Sequence, residues 1–177
     1  HRERTGRGQY VECAMMDCVM NLTRVKWRDH QRIRRGPLTE YCIQEFGDFT
    51  PRAGNDSGGG QLGNAIKCKP GGLNDYLYVV VQERVWNALS NKIGGEELTN
   101  DPRFNNIDVR RQNQAEMWQI FESYACNYTK RELMQMFNEI DVPCGPIMST
   151  DDLANDEHVK LREMYQELDH PERGNWF

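Results

Sequence analysis

No apolar run in this 177-residue sequence is longer than the six residues Tyr76 to Val81, against the roughly 18 to 20 that a membrane-crossing helix needs. That excludes a transmembrane helix and places no partner in the membrane. The opening stretch His1-Arg-Glu-Arg-Thr-Gly-Arg-Gly8 has no apolar core of the secretory type, so the expected location is the cytoplasm. The six cysteines form no C-x-x-C pair, and the four histidines form no H-x-x-x-H pair. No metal site is expected, and the thiols are expected free and buried. The N-x-S/T triplets at Asn21, Asn55 and Asn127 are chance matches in a chain without a secretory route. No internal repeat is present. The glycines fit neither G-x-x-x-x-G-K-[ST] nor G-x-G-x-x-G, which removes the two commonest nucleotide-phosphate loops.

Charge is present but unevenly spread. Residues 1–35 carry nine Arg or Lys and four acids, a local +5, whereas residues 150–173 carry eight acids and three bases, a local −5. The basic stretch lacks the aromatic platforms or recognisable module that nucleic-acid binding requires. It reads as a helix whose outer face is solvated or salt-bridged, so no nucleic-acid partner is expected; a basic-helix binding module is the non-enzyme alternative. The chain starts on His1, and its first methionine, Met15, lies inside a patterned segment, so a piece of a longer protein is expected.

The pattern along the chain is that of an α+β protein. Residues 9–14 have the Tyr and Val content of a short strand, and a long amphipathic helix runs from Met15 to Gly36-Pro37, with Met15, Cys18, Val19, Leu22 and Val25 as its stripe. Residues 36–63 have neither periodicity and read as a long functional loop. Residues 62–69 and 75–82 bracket Pro70-Gly-Gly-Leu-Asn74 and predict a hairpin. Helices are predicted over 84–93, stopped by Gly94-Gly95, over 109–126, and over 130–140 behind a Thr129-x-x-Glu132 capping box. The prolines of Asp141-Val-Pro-Cys-Gly-Pro146 predict extended chain. Ser149 or Thr150 then caps a short acidic helix over 151–157, and the tail holds a strand and a turn at His170-Pro171.

The local feature with most chemical content is Ser57-Gly58-Gly59-Gly60-Gln61. Three consecutive glycines leave backbone N–H groups unshielded and free to take φ > 0, so they can converge on a carboxylate, phosphate or oxyanion. By itself the run fits a flexible linker as well as a ligand-covering loop. Asp17, at the predicted strand-to-helix passage, reads as a first-turn acid favoured by the helix dipole rather than as a nucleophile, because no base or partner carboxylate lies at helical spacing.

Four collinear segments go further: Thr5-Gly-Arg-Gly-Gln9, Met15-Met-Asp-Cys-Val-Met-Asn-Leu22, Gly58-Gly-Gly-Gln61 with Lys67-Cys-Lys69, and Ile140-Asp-Val-Pro-Cys-Gly-Pro-Ile-Met-Ser149 followed by Asp151-Asp-Leu-Ala-Asn-Asp156. Together they resemble the formyl-CoA:oxalate branch of the class III CoA-transferase family, from about residue 4 to the C-terminus. The resemblance implies an enzyme that moves coenzyme A between formyl-CoA and oxalate through aspartyl anhydride and aspartyl-CoA thioester intermediates. It implies a nucleophilic aspartate upstream of the T-G-R-G-Q string, so no catalytic residue is expected in this chain and the chain alone is expected to be inactive. The substrate-binding residues it implies are Gly58, Gly59, Gly60 and Gln61; the family's loop has four glycines, and Ser57 stands at the first. It implies no permanently bound cofactor, the coenzyme A thioester being substrate, and an interlocked homodimer. The architecture implied is α/β overall, the chain itself being the α+β small domain with its connecting helix: residues 1–35 the end of the large nucleotide-fold domain and linker helix, 36–147 the small domain, and 148–177 the start of the return segment. Another class III acyl-CoA transferase or an acyl-CoA racemase is the enzyme alternative.

Overall fold

A computed structural model describes residues 1–35, 49–50, 54–55, 61–166 and 168–176. The chain divides into two compact units, His1–Gly60 and Gln61–Phe177.

In the first unit, helices α1 (Arg2–Thr5), α2 (Met15–Leu22) and α3 (Arg24–Ile33) follow one another. The strand predicted over 9–14 does not form. Its residues do not alternate, and Tyr10 and Val11 stand exposed, so no apolar face gains burial from extension. The single long helix predicted from Met15 is instead two. The Thr23 hydroxyl donates to Met20 O at 2.8 Å and accepts from Trp27 Nε1 at 3.2 Å, and Thr23 itself has φ −90 and ψ 9. A side chain that competes for backbone acceptors in this way interrupts a helix. The cationic face of α3 is ion-paired in part: the buried Asp29 carboxylate accepts from Arg28 Nε and Nη2 at 2.9 and 2.7 Å, with Arg32 Nη1 at 3.4 Å.

The second unit is built on the predicted hairpin. β1 (Leu62–Lys67) and β2 (Tyr76–Val81) pair antiparallel from Leu62↔Val81 to Lys67↔Tyr76. The extended segment predicted at Pro143-Cys-Gly-Pro146 supplies β3 (Cys144–Pro146), which pairs with the other edge of β2. β2 is therefore the centre of a three-stranded sheet of order β1-β2-β3. Its unbroken apolar sequence resolves into alternating burial, with Leu77, Val79 and Val81 inside, because successive side chains leave a strand on opposite faces.

Helices α4 (Trp86–Thr99), α5 (Ile107–Gln112), α6 (Gln114–Ala125) and α7 (Lys130–Asn138) follow, α4 after a 3₁₀ turn, Glu83–Val85. The predicted stop at Gly94-Gly95 is a kink: Gly95 takes φ 67, ψ −160, and a further turn follows to Thr99. The helix predicted over 109–126 is two, α5 starting at Ile107 behind an Asn106 cap that accepts from the Asp108 and Val109 amides. α6 and α7 pack on the sheet through Met117, Phe121, Leu133 and Phe137, all buried with the inward residues of β1 and β2. Trp86 stacks on Phe121 at 6.4 Å and Trp118 meets Phe121 edge-on at 5.5 Å; each large side chain so buried contributes roughly 2 kcal/mol.

The Thr129 capping box forms as predicted, with Glu132 returning the bond. Ser149 makes a second with Asp152 at the start of α8 (Thr150–Asn155), and α9 (Glu157–Leu161) follows behind an Asp156 cap. The predicted acidic helix is thus two short ones. The tail forms a small hairpin, β4 (Leu168–His170) with β5 (Gly174–Trp176). Among the described residues no helix is long and apolar enough to cross a membrane.

Candidate functional site

Gly58, Gly59 and Gly60 lie outside the described residues. Gln61 is described: it is exposed and is the residue immediately before β1. Leu62 opposite Val81 puts Gln61 at the end of the sheet where β2 runs out into Gln82 and Glu83.

What stiffens that end is a group of residues that periodicity did not single out. Arg110, in the first turns of α5, is fully buried; its Nη2 donates to Glu83 Oε2 at 2.6 Å and its guanidinium lies 4.3 Å from the Trp86 ring. Among the described residues its Nε and Nη1 have no hydrogen-bond partner, and neither have the indole nitrogens of Trp86 and Trp118. Burial lowers the Arg110 pKa, opposed by the Glu83 carboxylate. A buried cation with one charged partner is costly to strip of it. Glu83→Ala is accordingly expected to cost about 2 kcal/mol, a figure discounted for Glu83 being largely exposed. Arg110→Met, which removes the buried charge itself and keeps most of the packing on Trp86, is expected to cost less. Urea unfolding of both variants checks the order, and a larger loss for Arg110→Met would place the stabilisation in the guanidinium stack instead of the ion pair.

A second cation organises the opposite end of the sheet. Lys130 Nζ donates to Asn74 O at 3.0 Å, to Ile147 O at 2.9 Å and to Asp152 Oδ2 at 2.6 Å. It ties the β1–β2 connection, the segment after β3, and α7 to the N-terminus of α8. Lys130 and Ser149 donors hold the Asp152 carboxyl well below the usual range. In sequence Lys130 looks like an ordinary solvated first-turn lysine. Only the three-dimensional return of Asn74 and Ile147 reveals its burial.

The thiols depart from the expectation that all are buried. Cys68 is buried and Cys144 half-buried, and burial pushes both up to about 11, so neither is a nucleophile at neutral pH. Cys13, Cys18 and Cys126 are exposed. Cys42 lies outside the described residues. Asp17 is exposed in the first turn of α2, with no base brought to it by the residues described around it, and is not assigned a catalytic role. Among the described residues no group of three or more His, Cys, Asp or Glu could hold a metal ion.

The model of a family described as CoA-transferase family III matches residues 1–177. Two curated relatives, each named formyl-CoA:oxalate CoA-transferase, from Streptomyces avermitilis and Streptomyces coelicolor, are 47% identical over 175 residues. The alignment covers 99% of this chain and 43% of theirs, so the chain spans less than half the length of the curated relatives it matches. Among solved structures, a CAIB/BAIF family protein from Brucella suis superposes with a TM-score of 0.60 at 24% identity, covering 95% of this chain and 40% of that one. That likeness shows a shared fold, in keeping with the α+β organisation expected from the sequence.

Proposed function

Since the chain belongs to CoA-transferase family III, we propose that the complete enzyme transfers coenzyme A from formyl-CoA to oxalate. The observation that carries this reading is the 47% identity over 175 residues to relatives bearing that name. An aspartate of the complete enzyme, outside these 177 residues, attacks the formyl thioester and gives a mixed anhydride and free coenzyme A thiolate. The thiolate attacks the aspartyl carbonyl, formate leaves, and an aspartyl-CoA thioester remains. Oxalate then attacks that carbonyl to form a second anhydride, and the thiolate takes the oxalyl group, returning the aspartate. Two easier exchanges replace one difficult one.

Each addition step puts negative charge on a carbonyl oxygen. The part assigned to this chain is to supply donors for that charge and for the oxalate carboxylates, from the backbone amides of Gly58, Gly59 and Gly60 and the side chain of Gln61. Removal of one such donor costs roughly 3 kcal/mol in other acyl-transfer enzymes. The coenzyme A thioester enters as substrate, no cofactor is held permanently, and the enzyme works in the cytoplasm as an interlocked homodimer.

The scheme has a labelling consequence. The oxalate oxygen that attacks the aspartyl carbonyl stays on the enzyme when the thiolate removes the oxalyl group. Turnover with ¹⁸O-oxalate is therefore expected to leave label on one aspartate, read by peptide mass spectrometry. Oxalyl-CoA formed with no label on the enzyme would overturn the covalent scheme, and absence of oxalyl-CoA would overturn the substrate assignment.

A further inference from the structure

Arg110 has no exposed surface, and residues of this chain alone enclose it, so the rest of a longer protein can add burial around it but takes none away. From α5 its guanidinium reaches two residues three apart at the head of α4. Nη2 donates to Glu83 Oε2 at 2.6 Å, and the guanidinium carbon lies 4.3 Å from the Trp86 ring. Between these contacts the Val85 amide donates to Gln82 O at 3.1 Å, and Val85 and Trp86 are buried. The 3₁₀ turn Glu83–Val85 is thus held from the core side. That turn continues β2, whose last paired residue, Val81, faces Leu62. Gln61 and Gln82 are the next residues outward on the two strands, so Gln61 stands one residue beyond the ladder and Glu83 two.

A guanidinium placed in this way is a poor source of stability. Its Nε and Nη1 have no hydrogen-bond partner among the described residues, and a buried ion pair is often matched or bettered by apolar residues of similar volume. What the charge supplies is direction. We propose that Arg110 and Glu83 are a positioning pair for the transfer reaction: the buried cation fixes Glu83, and with it the strand end that presents Gln61 to the oxalate carboxylates. This role rests on the assignment of Gln61 to substrate in the proposed reaction. An apolar side chain at position 110 would still pack on Trp86 but would leave Glu83 without its partner. The Glu83 carboxylate, whose side chain is already 63% exposed, would then turn to solvent and release the turn. A substrate-contacting group displaced by a fraction of an ångström loses rate out of proportion to the stability involved.

The test compares Arg110→Met, Gln61→Ala and the double variant in the complete protein, by formation of oxalyl-CoA, and adds amide hydrogen exchange of wild type and Arg110→Met. Arg110→Met is expected to lower kcat with oxalate roughly tenfold, with the KM for formyl-CoA nearly unchanged. Exchange is expected to quicken in residues 61–63 and 81–85 and to keep the wild-type rate in residues 144–149, at the other end of the sheet. In the Gln61→Ala background the same substitution is expected to change kcat less than about twofold, because the group it positions is gone. Equal losses in both backgrounds, wild-type kinetics for Gln61→Ala, or unchanged exchange at the strand end would each overturn the positioning role while leaving the reaction in place. A wild-type protein that forms no oxalyl-CoA would sink the reaction and this role together. Should Arg110→Met fail to fold, Glu83→Gln, which keeps an oxygen for Nη2 without the charge, carries the same comparison with smaller losses.

Discussion

Gly59→Val in the complete enzyme is expected to lower kcat with oxalate by a hundredfold or more, with the urea midpoint almost unchanged. A β-branched side chain removes the freedom to adopt φ > 0 and screens the adjacent amides, so donors that stabilise developing charge are withdrawn from the reacting carbonyl. Losing one such donor costs about 10²–10³ in kcat where it has been measured. Because the donors act on charge that exists only in the transition state, the KM for formyl-CoA should change far less than kcat. Steady-state kinetics beside an unfolding curve check both parts. Unchanged kinetics would remove the glycine run from the reaction, whereas a large fall in stability would make it a structural turn.

The second large effect concerns the fold of the second unit. Lys130→Met is expected to destabilise by about 3 kcal/mol, the scale found when one partner of a buried ion pair is removed. The change deprives the Asn74 and Ile147 carbonyls of their donor and leaves the Asp152 cap without its cation. Asp152→Asn keeps an oxygen for the Ser149 amide and hydroxyl and should cost less. The two variants differ in pH dependence. Asp152 has a folded-state pKa below its unfolded value, which is about 3.9 for a free aspartate. Its contribution is therefore fully present above about pH 5 and is lost as pH falls toward and below the carboxylate range. Wild type and Asp152→Asn should differ by a constant amount from pH 8 to pH 5 and converge below about pH 4. A difference that persists undiminished into acid would show that the Asp152 charge is not what stabilises the corner.

Much of the second unit was legible because local signals and burial agree there. Pro70-Gly-Gly-Leu-Asn74 between two β-rich runs gives the hairpin, the Thr129 box sets the start of α7, and the paired prolines around Cys144 hold the third strand extended. Interruptions are harder to read. Thr23 breaks a stripe that continues through it, Asn106 starts α5 ahead of the periodic residues, and Asp156 starts a helix of its own. Each is a polar side chain that has a choice of backbone partners, and sequence periodicity does not say which it takes. The segment 9–14 is the opposite case, β-type composition with no partner strand among the described residues.

For the site, family membership was legible from short motifs in the right order. The supports of the sheet were not. Arg110 and Lys130 are charged residues in first helical turns, which composition assigns to solvent, and both become buried only when segments 27 and 56 residues away return to them.

Coenzyme A exchange itself tests the central claim most directly. The complete gene product is incubated with formyl-CoA and oxalate, and the thioesters are separated by chromatography, with these 177 residues expressed alone run beside it. The account predicts oxalyl-CoA and free formate from the complete protein and none from the 177 residues alone. Oxalyl-CoA formed by the 177 residues would place the nucleophile within them, and a complete protein that leaves formyl-CoA untouched in the presence of oxalate would contradict the proposed reaction.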